Sequence, residues 1–200
     1  MKGNLHRTRA IKLALIAVMA ATLEGGKLAL SFIPNVEIVT LLCALYGYVF
    51  GLSGVVATYV FVGLETLIWG VSPWVITYLI HWGAVAIIFA LLGRFRIKNR
   101  LITTACAVAL TVAFGVLSSL IDTGLFTGFY DDFWKRFAII YTRGAAFYIA
   151  EIICNLVLFL VAFTPLVKLL DRICPQKFKS LKNSSPTDSP IDGPPAKNQD

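Results

Sequence analysis

Long apolar runs are the feature that most constrains what this chain can fold into. Stretches of roughly 20 apolar residues, the length that a helix needs to cross a bilayer, recur along its 200 residues. Only 14% of the residues are charged, whereas a soluble domain carries about a quarter. The sequence therefore predicts an all-α polytopic membrane protein with six transmembrane helices. The predicted spans are residues 9–33, 36–50, 55–69, 74–92, 101–121 and 137–166.

The basic residues cluster beside the apolar runs. Fourteen of the 18 Lys and Arg lie at the N-terminus, in GRFRIKNR (93–100) and from Lys168 onward. Such clusters mark the cytoplasmic side of a membrane protein, and six spans return the chain to the side on which it starts. Both termini are therefore predicted to be cytoplasmic, around a membrane domain of residues 11–172. Residues 1–10 form a basic cytoplasmic segment, and the Ser/Pro-rich residues 173–200 are predicted to be a disordered cytoplasmic tail.

The charge pattern and the cysteines exclude several classes of site. A net charge of +7 suggests nucleic-acid binding, but no soluble basic domain exists to present it. The four cysteines lack metal-ligand spacing, so neither a metal nor another cofactor is predicted. The first apolar run has no small-residue cleavage pattern before Glu24, and we expect it to be retained as a span. Within it, Gly25 and Gly26 favour a kink, and Glu24 can pair with Lys27.

Polar and aromatic residues collect in the halves of the spans that this topology places outside. They are Glu37 at the start of the second span, Glu65 and Trp69 at the end of the third, Trp74, Tyr78, His81 and Trp82 on one face of the fourth, and Gly144, Tyr148, Glu151 and Asn155 on one face of the sixth. Because ionisable groups are costly in lipid, they are usually functional or paired. Their convergence predicts a small-molecule pocket that opens outward. An interfacial aromatic belt, a hydrogen-bonded core histidine and interhelical hydrogen bonds are the structural alternatives.

Two further patterns each allow two interpretations. Ala10, Ala14, Ala17 and Ala21 form a small-residue stripe that lets a helix approach closely, either from this chain or from a partner. Gly51-Leu52-Ser53-Gly54 matches the G-x-S-G nucleophile motif of rhomboid intramembrane proteases. That mechanism needs a histidine close to Ser53, and His81 is predicted near the opposite side of the membrane. We therefore interpret the glycines as turn residues and predict no enzymatic activity, with a small channel or a structural membrane protein as a further alternative.

Three parts of the sequence resemble the substrate-binding S components of energy-coupling factor (ECF) vitamin transporters. They are PNVEIVTLLCALYGYVFG with the following LSG, YTRGAAFYIAEIICNLVLFLVAFTPL near the sixth span, and the alanine stripe. In the second segment, Gly144, Phe147, Asn155, Pro165 and Leu166 fit the family pattern. Glu151 stands where many relatives have histidine, so this sequence departs from the usual ligand set there. The resemblance covers about residues 8–172.

The resemblance implies a plasma-membrane protein of a prokaryote that captures a vitamin or related micronutrient. It would act with a T component and two cytoplasmic ATPases. In that family, an ATP-driven rearrangement reorients the S component in the bilayer. Ala14, Ala17 and Ala21 would dock the T component. The predicted substrate-binding residues are Asn35, Glu37, Glu65, Trp69, Trp74, Tyr78, His81, Trp82, Arg143, Tyr148, Glu151 and Asn155. Asn35 and Glu37 would form the pocket mouth, although Asn35 is equally suited to cap a helix, and Arg143 is suited to hold a carboxylate or phosphate.

Overall fold

The computed structural model describes residues 2–33 and 36–174, and for residues 2–5 and 8 it describes the backbone alone. This part of the chain contains helices and no strand. The helices are α1 (Lys2–Leu30), α2 (Val39–Phe50), α3 (Leu52–Trp69), α4 (Pro73–Arg94), α5 (Arg100–Thr127), α6 (Phe133–Leu158), a π-helical turn (Phe159–Phe163) and α7 (Thr164–Ile173). The predictions for Pro34, Asn35 and residues 175–200 fall outside the described residues.

Five helical segments of the described chain are long and apolar enough to cross a membrane. They are Arg9–Leu30, Leu52–Trp69, Pro73–Arg94, Arg100–Thr127 and Phe133–Ile173. The prediction of an all-helical chain with several helices long and apolar enough to span a membrane is confirmed for the described residues. Most predicted boundaries lie within a few residues of the observed ones, but α5 and the last segment run further than predicted. Helix α1 also continues through Gly25 and Gly26 without interruption.

Helix α2 is the exception, because its 12 residues rise only about 18 Å. Eleven of them are buried, all except Leu42. Its first turn is stabilised by the Glu37 side chain, which accepts a hydrogen bond from the Thr40 backbone N–H at 3.1 Å. That contact satisfies one of the N–H groups that a helix start leaves without an intrahelical partner. The short α2 therefore forms the centre of the bundle, and the longer helices surround it.

Close helix packing around α2 depends on glycine. A Cβ atom at Gly47 would overlap the backbone carbonyl of Ala86 in α4, and one at Gly93 would overlap the carbonyl of Tyr48. The Tyr48 hydroxyl donates a 3.0 Å hydrogen bond to the carbonyl of Ile97, in the connection between α4 and α5. These contacts hold α2 and α4 together and bring the end of α2 to the basic connection 95–99. We call this end of the bundle the basic end.

Gly47→Ala is expected to destabilise the protein by about 1–3 kcal/mol or more, because the added methyl group forces two backbones apart. The matched control is Gly63→Ala on α3, where a Cβ atom meets nothing within 4 Å. That control should be neutral or slightly stabilising, since alanine favours the helix over glycine by up to about 1 kcal/mol. Thermal unfolding of both purified variants in detergent measures the difference. Equal melting temperatures would contradict the close α2–α4 contact.

The last membrane segment changes its helical geometry before Pro165. Proline has no N–H and collides with the carbonyl four residues earlier in a regular α-helix. The π-helical turn Phe159–Phe163 widens the backbone at this point; π-helices are rare and occur mostly as such single turns inside α-helices. It also places Phe159 and Phe163 against Phe89 of α4, with ring centroids 5.5 and 5.3 Å apart. The helix therefore continues past Pro165 as α7, where the sequence predicted that the span ends.

Candidate functional site: a cavity lined by charged and aromatic side chains

The cavity lies where α1 and α3 end and α4 begins. Short connections make consecutive helices antiparallel, so connections 31–38, 70–72 and 128–132 lie at the end opposite the basic end. The cavity has a volume of about 160 Å³. Its lining residues come from α1, α2 with the connection before it, α4, α5 and α6. They are Lys27, Glu37, Val39, Tyr78, Trp82, Phe114 and Glu151.

Lys27 forms an ion pair with Glu65 at the cavity wall. The Glu65 side chain is 0% exposed, whereas that of Lys27 is 27% exposed. The sequence predicted that Lys27 pairs with Glu24, three positions earlier on the same helix, and the ion pair instead crosses from α1 to α3. Glu24 remains within electrostatic range of Lys27. This ion pair fixes the end of α1 against α3, and the second Glu65 oxygen has no hydrogen-bond partner among the described residues.

Three aromatic rings on α4 form one wall beside this ion pair. Trp74, Tyr78 and Trp82 follow each other at intervals of four residues, which places them on one face of the helix. Their ring centroids lie 4.9 Å apart between Trp74 and Tyr78 and 4.0 Å apart between Tyr78 and Trp82. The Lys27 Nζ atom lies 5.0 Å from the Tyr78 ring centroid and about 6 Å from the other two. At these distances an ammonium is attracted to the faces of the rings.

Glu37 joins the opposite wall through a hydrogen-bond network. The Asn155 Nδ2 atom donates to Glu37 Oε1 at 3.2 Å and to Thr111 Oγ1 at 3.2 Å. The Cys154 thiol also contacts the Glu37 carbonyl at 3.7 Å. Thr111 lies in the middle of α5, so Glu37 lies deeper in the bundle than the pocket mouth that the sequence predicted. Glu37 lies this deep because α2 is short: the helix starts only about 18 Å from the basic end of the bundle.

Glu151 faces the cavity without a hydrogen-bond or ion-pair partner among the described residues. Its side chain is only 8% exposed, and it lines the cavity together with Glu37. No hydrogen bond or ion pair joins its carboxylate to any residue that the structure describes, whereas Glu37 is close enough to repel it. Buried carboxylates are normally paired. Glu151 is therefore the most conspicuous uncompensated group in the cavity.

The other predicted site residues lie around the cavity or away from it. His81 packs against Phe114, with centroids 4.8 Å apart, and the Tyr148 hydroxyl shares a 3.0 Å hydrogen bond with Ser119. Arg143 is exposed and so is Trp69, at 61%. The structure thus brings together Glu37, Glu65, Trp74, Tyr78, Trp82, Glu151 and Asn155, with His81 behind them.

Sequence reasoning did not assign Lys27, Phe114 or Thr111 to the site. A signal existed for Lys27, since a lysine inside an apolar run is a candidate for function. The sequence gives no such signal for Phe114 or Thr111, because phenylalanine and threonine are ordinary residues of an apolar helix, in the core or facing lipid.

The alanine stripe faces away from the rest of the bundle. Ala10, Ala14, Ala17 and Ala21 are all exposed, whereas Met19 and Leu23 on the other side of α1 are 3% and 0% exposed. Helix α1 packs chiefly against α3. The stripe is therefore an uncovered small-residue surface, and packing against the described helices of this chain does not account for it.

Ser53 and His81 do not form a catalytic pair. Ser53 is the second residue of α3, at the basic end, and is 5% exposed. His81 lies 13 residues before Arg94, the last residue of α4, which places it about 20 Å further along the bundle axis. A general base must lie within hydrogen-bond reach of its nucleophile. In the described part of the chain, no group of His, Cys, Asp or Glu residues is arranged to hold a metal ion either.

Comparison of the chain with protein-family models, with curated protein sequences and with solved structures yields no significant match. The geometry of the cavity and of the helix surfaces therefore carries the functional inference.

Proposed function

We propose that this protein is the substrate-binding S component of an ECF-type importer in the plasma membrane of a prokaryote. It would capture a vitamin or related micronutrient from outside the cell. A T component and two ATPases would then drive its reorientation in the bilayer and release the substrate inside. On this proposal the chain crosses the membrane six times, and both termini are cytoplasmic.

The single observation that carries the proposal is the cavity itself. Five segments of the chain contribute charged, aromatic or apolar side chains to it, as is typical of small-molecule sites between helices. Toward the basic end, the space between the helices is filled by packed rings. Phe89 contacts Phe159 and Phe163, and Phe163 contacts Tyr48 at a centroid distance of 5.6 Å. A packed aromatic cluster between the helices on the basic side favours a binding protein over a channel.

The charge distribution supports an outward-facing cavity. Arg94, Arg96, Lys98 and Arg100 surround the connection at the basic end, and α7 brings Lys168 and Arg172 toward the same end. Basic connections favour the cytoplasmic side. The cavity, which lies nearer the other end, would then be reached from outside.

The alanine stripe supports the dependence on partners. Small residues at helix spacing allow the backbones of two membrane helices to approach closely, and Ala14, Ala17 and Ala21 are exposed on α1. No ATP-binding motif occurs in the sequence, so the energy for transport would come from the ATPase subunits. The T component would transmit it through this surface.

Ligand copurification tests the proposal. The chain is expressed in cells grown in rich medium and purified in mild detergent, and its bound small molecules are identified by mass spectrometry. We expect one micronutrient at close to one molecule per chain. Returning it to the stripped protein should change the tryptophan fluorescence, because Trp74 and Trp82 belong to the aromatic wall. The absence of a copurified small molecule, together with no fluorescence response to a cell extract, would contradict the proposal.

A further inference from the structure

We infer that the cavity binds a small planar cation, such as an amine or amidinium group carried on an aromatic ring. This inference rests on the proposed function and specifies the chemical class of its substrate. Three features carry it: the charge balance of the cavity, its aromatic wall and its volume.

The charge balance favours a cation. Lys27 is the one cationic residue among the lining residues, and its ammonium group is already paired with Glu65. Glu37 and Glu151 then remain, and both are acidic lining residues. The polar contacts of the Glu37 carboxylate come from an amide and a backbone N–H, which are neutral donors. Lys27 also lies within electrostatic range of Glu37, so one lysine stands against the carboxylates of Glu65, Glu37 and Glu151. Carboxylates in excess of cations are costly inside a membrane protein, and a positively charged ligand would offset that cost.

Glu151 is placed to make the direct contact. It is more than nine-tenths buried, it faces the cavity, and no described residue donates a hydrogen bond to it. A ligand N–H group in the cavity would supply the missing donor. Hydrogen bonds between ionised groups are shorter and stronger than neutral ones, so this contact would distinguish a cation from a neutral molecule of the same shape.

The aromatic wall is suited to the same ligand. Tyr78 and Trp82 both line the cavity, and the faces of such rings attract cations as well as flat apolar groups. Lys27 already lies over these rings at 5.0 and 5.9 Å. An anionic ligand would instead meet Glu37 and Glu151. Arg143, the residue best suited to bind an anion, is exposed and does not line the cavity.

The volume limits the size of the ligand. The cavity measures about 160 Å³, and an apolar protein cavity of about 150 Å³ accommodates benzene. One aromatic ring with a short cationic substituent therefore fits, whereas a large vitamin does not fit without rearrangement of the surrounding side chains.

Three isosteric probes test the inference on the purified full-length chain: benzamidine, which is a cation at neutral pH, neutral benzamide and anionic benzoate. Isothermal titration calorimetry gives each affinity after the copurified ligand has been removed. We expect benzamidine to bind at least about tenfold more tightly than benzamide, and benzoate to bind more weakly than both. Benzamide or benzoate binding as tightly as benzamidine would overturn the inference, and so would the absence of any benzamidine binding.

Glu151→Gln removes the charge and keeps the shape, so it should abolish most of the preference for benzamidine over benzamide. Retained benzamide binding shows that the variant is folded. The matched control is Asp131→Asn, which neutralises an exposed carboxylate in the connection between α5 and α6 and should leave the preference unchanged. A wild-type preference in Glu151→Gln would overturn the inference.

The copurified ligand separates this inference from the proposed function. A neutral or anionic micronutrient would leave the proposed function standing and overturn the inference. If no micronutrient copurifies, the proposed function fails, whereas the charge preference among the three probes is still measured on the cavity itself.

Discussion

The proposed function predicts that replacing Ala17 with tryptophan abolishes ATP-driven uptake and leaves ligand binding by the isolated chain unchanged. Ala17 lies on the exposed alanine stripe of α1, and residues 14, 17 and 21 share one face of this helix. An indole group there would hold the T component several ångströms away and remove the close packing that small residues permit. The cavity begins with Lys27, ten residues further along α1, so the ligand contacts remain in place.

The matched control for this prediction is Ala105→Trp, an equally large change at an exposed alanine of α5. Uptake is measured in proteoliposomes that contain the T component and the two ATPases, and binding is measured on the chain alone in detergent. Ala105→Trp should retain uptake. If Ala17→Trp also transports at the wild-type rate, the stripe is not the docking surface.

Lys27→Met is expected to destabilise the folded protein by up to about 3 kcal/mol, the lower end of the cost of removing one member of a buried ion pair, because Lys27 is 27% exposed. The physical reason is that Glu65, at 0% exposure, loses the partner that compensates its burial, so it must either stay charged without a cation or take up a proton. Glu65→Gln should cost less. It leaves an amide oxygen to accept a hydrogen bond from Lys27, and Lys27 is partly exposed and remains within electrostatic range of Glu24 and Glu37.

The double variant Lys27→Met/Glu65→Gln completes this cycle. It should be more stable than Lys27→Met, because no uncompensated charge remains at position 65. Thermal unfolding in detergent, with ligand removed from all samples, supplies the four stabilities. A double variant no more stable than Lys27→Met would show that the two side chains do not depend on each other, against the ion pair between α1 and α3.

The helices could be predicted from the sequence because apolar runs of sufficient length leave a membrane chain few alternatives. The start of α2 at Val39, three residues after the predicted start, could not be predicted, because Val36 and Ile38 are apolar enough to extend the helix. The helix begins at Val39, where Glu37 accepts hydrogen bonds from the Thr40 backbone and from Asn155. Glu37 and Asn155 are 118 positions apart, and no local pattern relates them.

The candidate site could be predicted in part, because helical periodicity shows which side chains share a face of one helix. Helical periodicity places Trp74, Tyr78 and Trp82 on one face of α4, and the structure turns that face toward the cavity. The same argument grouped Tyr148 with Glu151 and Asn155 on α6. Tyr148 instead points at α5, where its hydroxyl meets Ser119 and its ring covers Gly115. Periodicity defines a face about 100° wide, and only the packing of the neighbouring helix shows which part of it reaches the cavity.

The partner of Lys27 required the tertiary structure as well. Glu24 and Glu65 are both acidic, and Glu24 is the nearer in sequence. Glu65 forms the ion pair because α1 packs chiefly against α3, which brings together side chains 38 residues apart.

Transport by the reconstituted protein tests the central claim most directly. The copurifying micronutrient, in labelled form, is offered to liposomes that contain either this chain alone or this chain with a T component and two ATPases. We predict accumulation only in the complete system and only with ATP on the ATPase side, while the chain alone binds the micronutrient without transporting it. Equal, ATP-independent flux through liposomes that contain the chain alone would contradict the account.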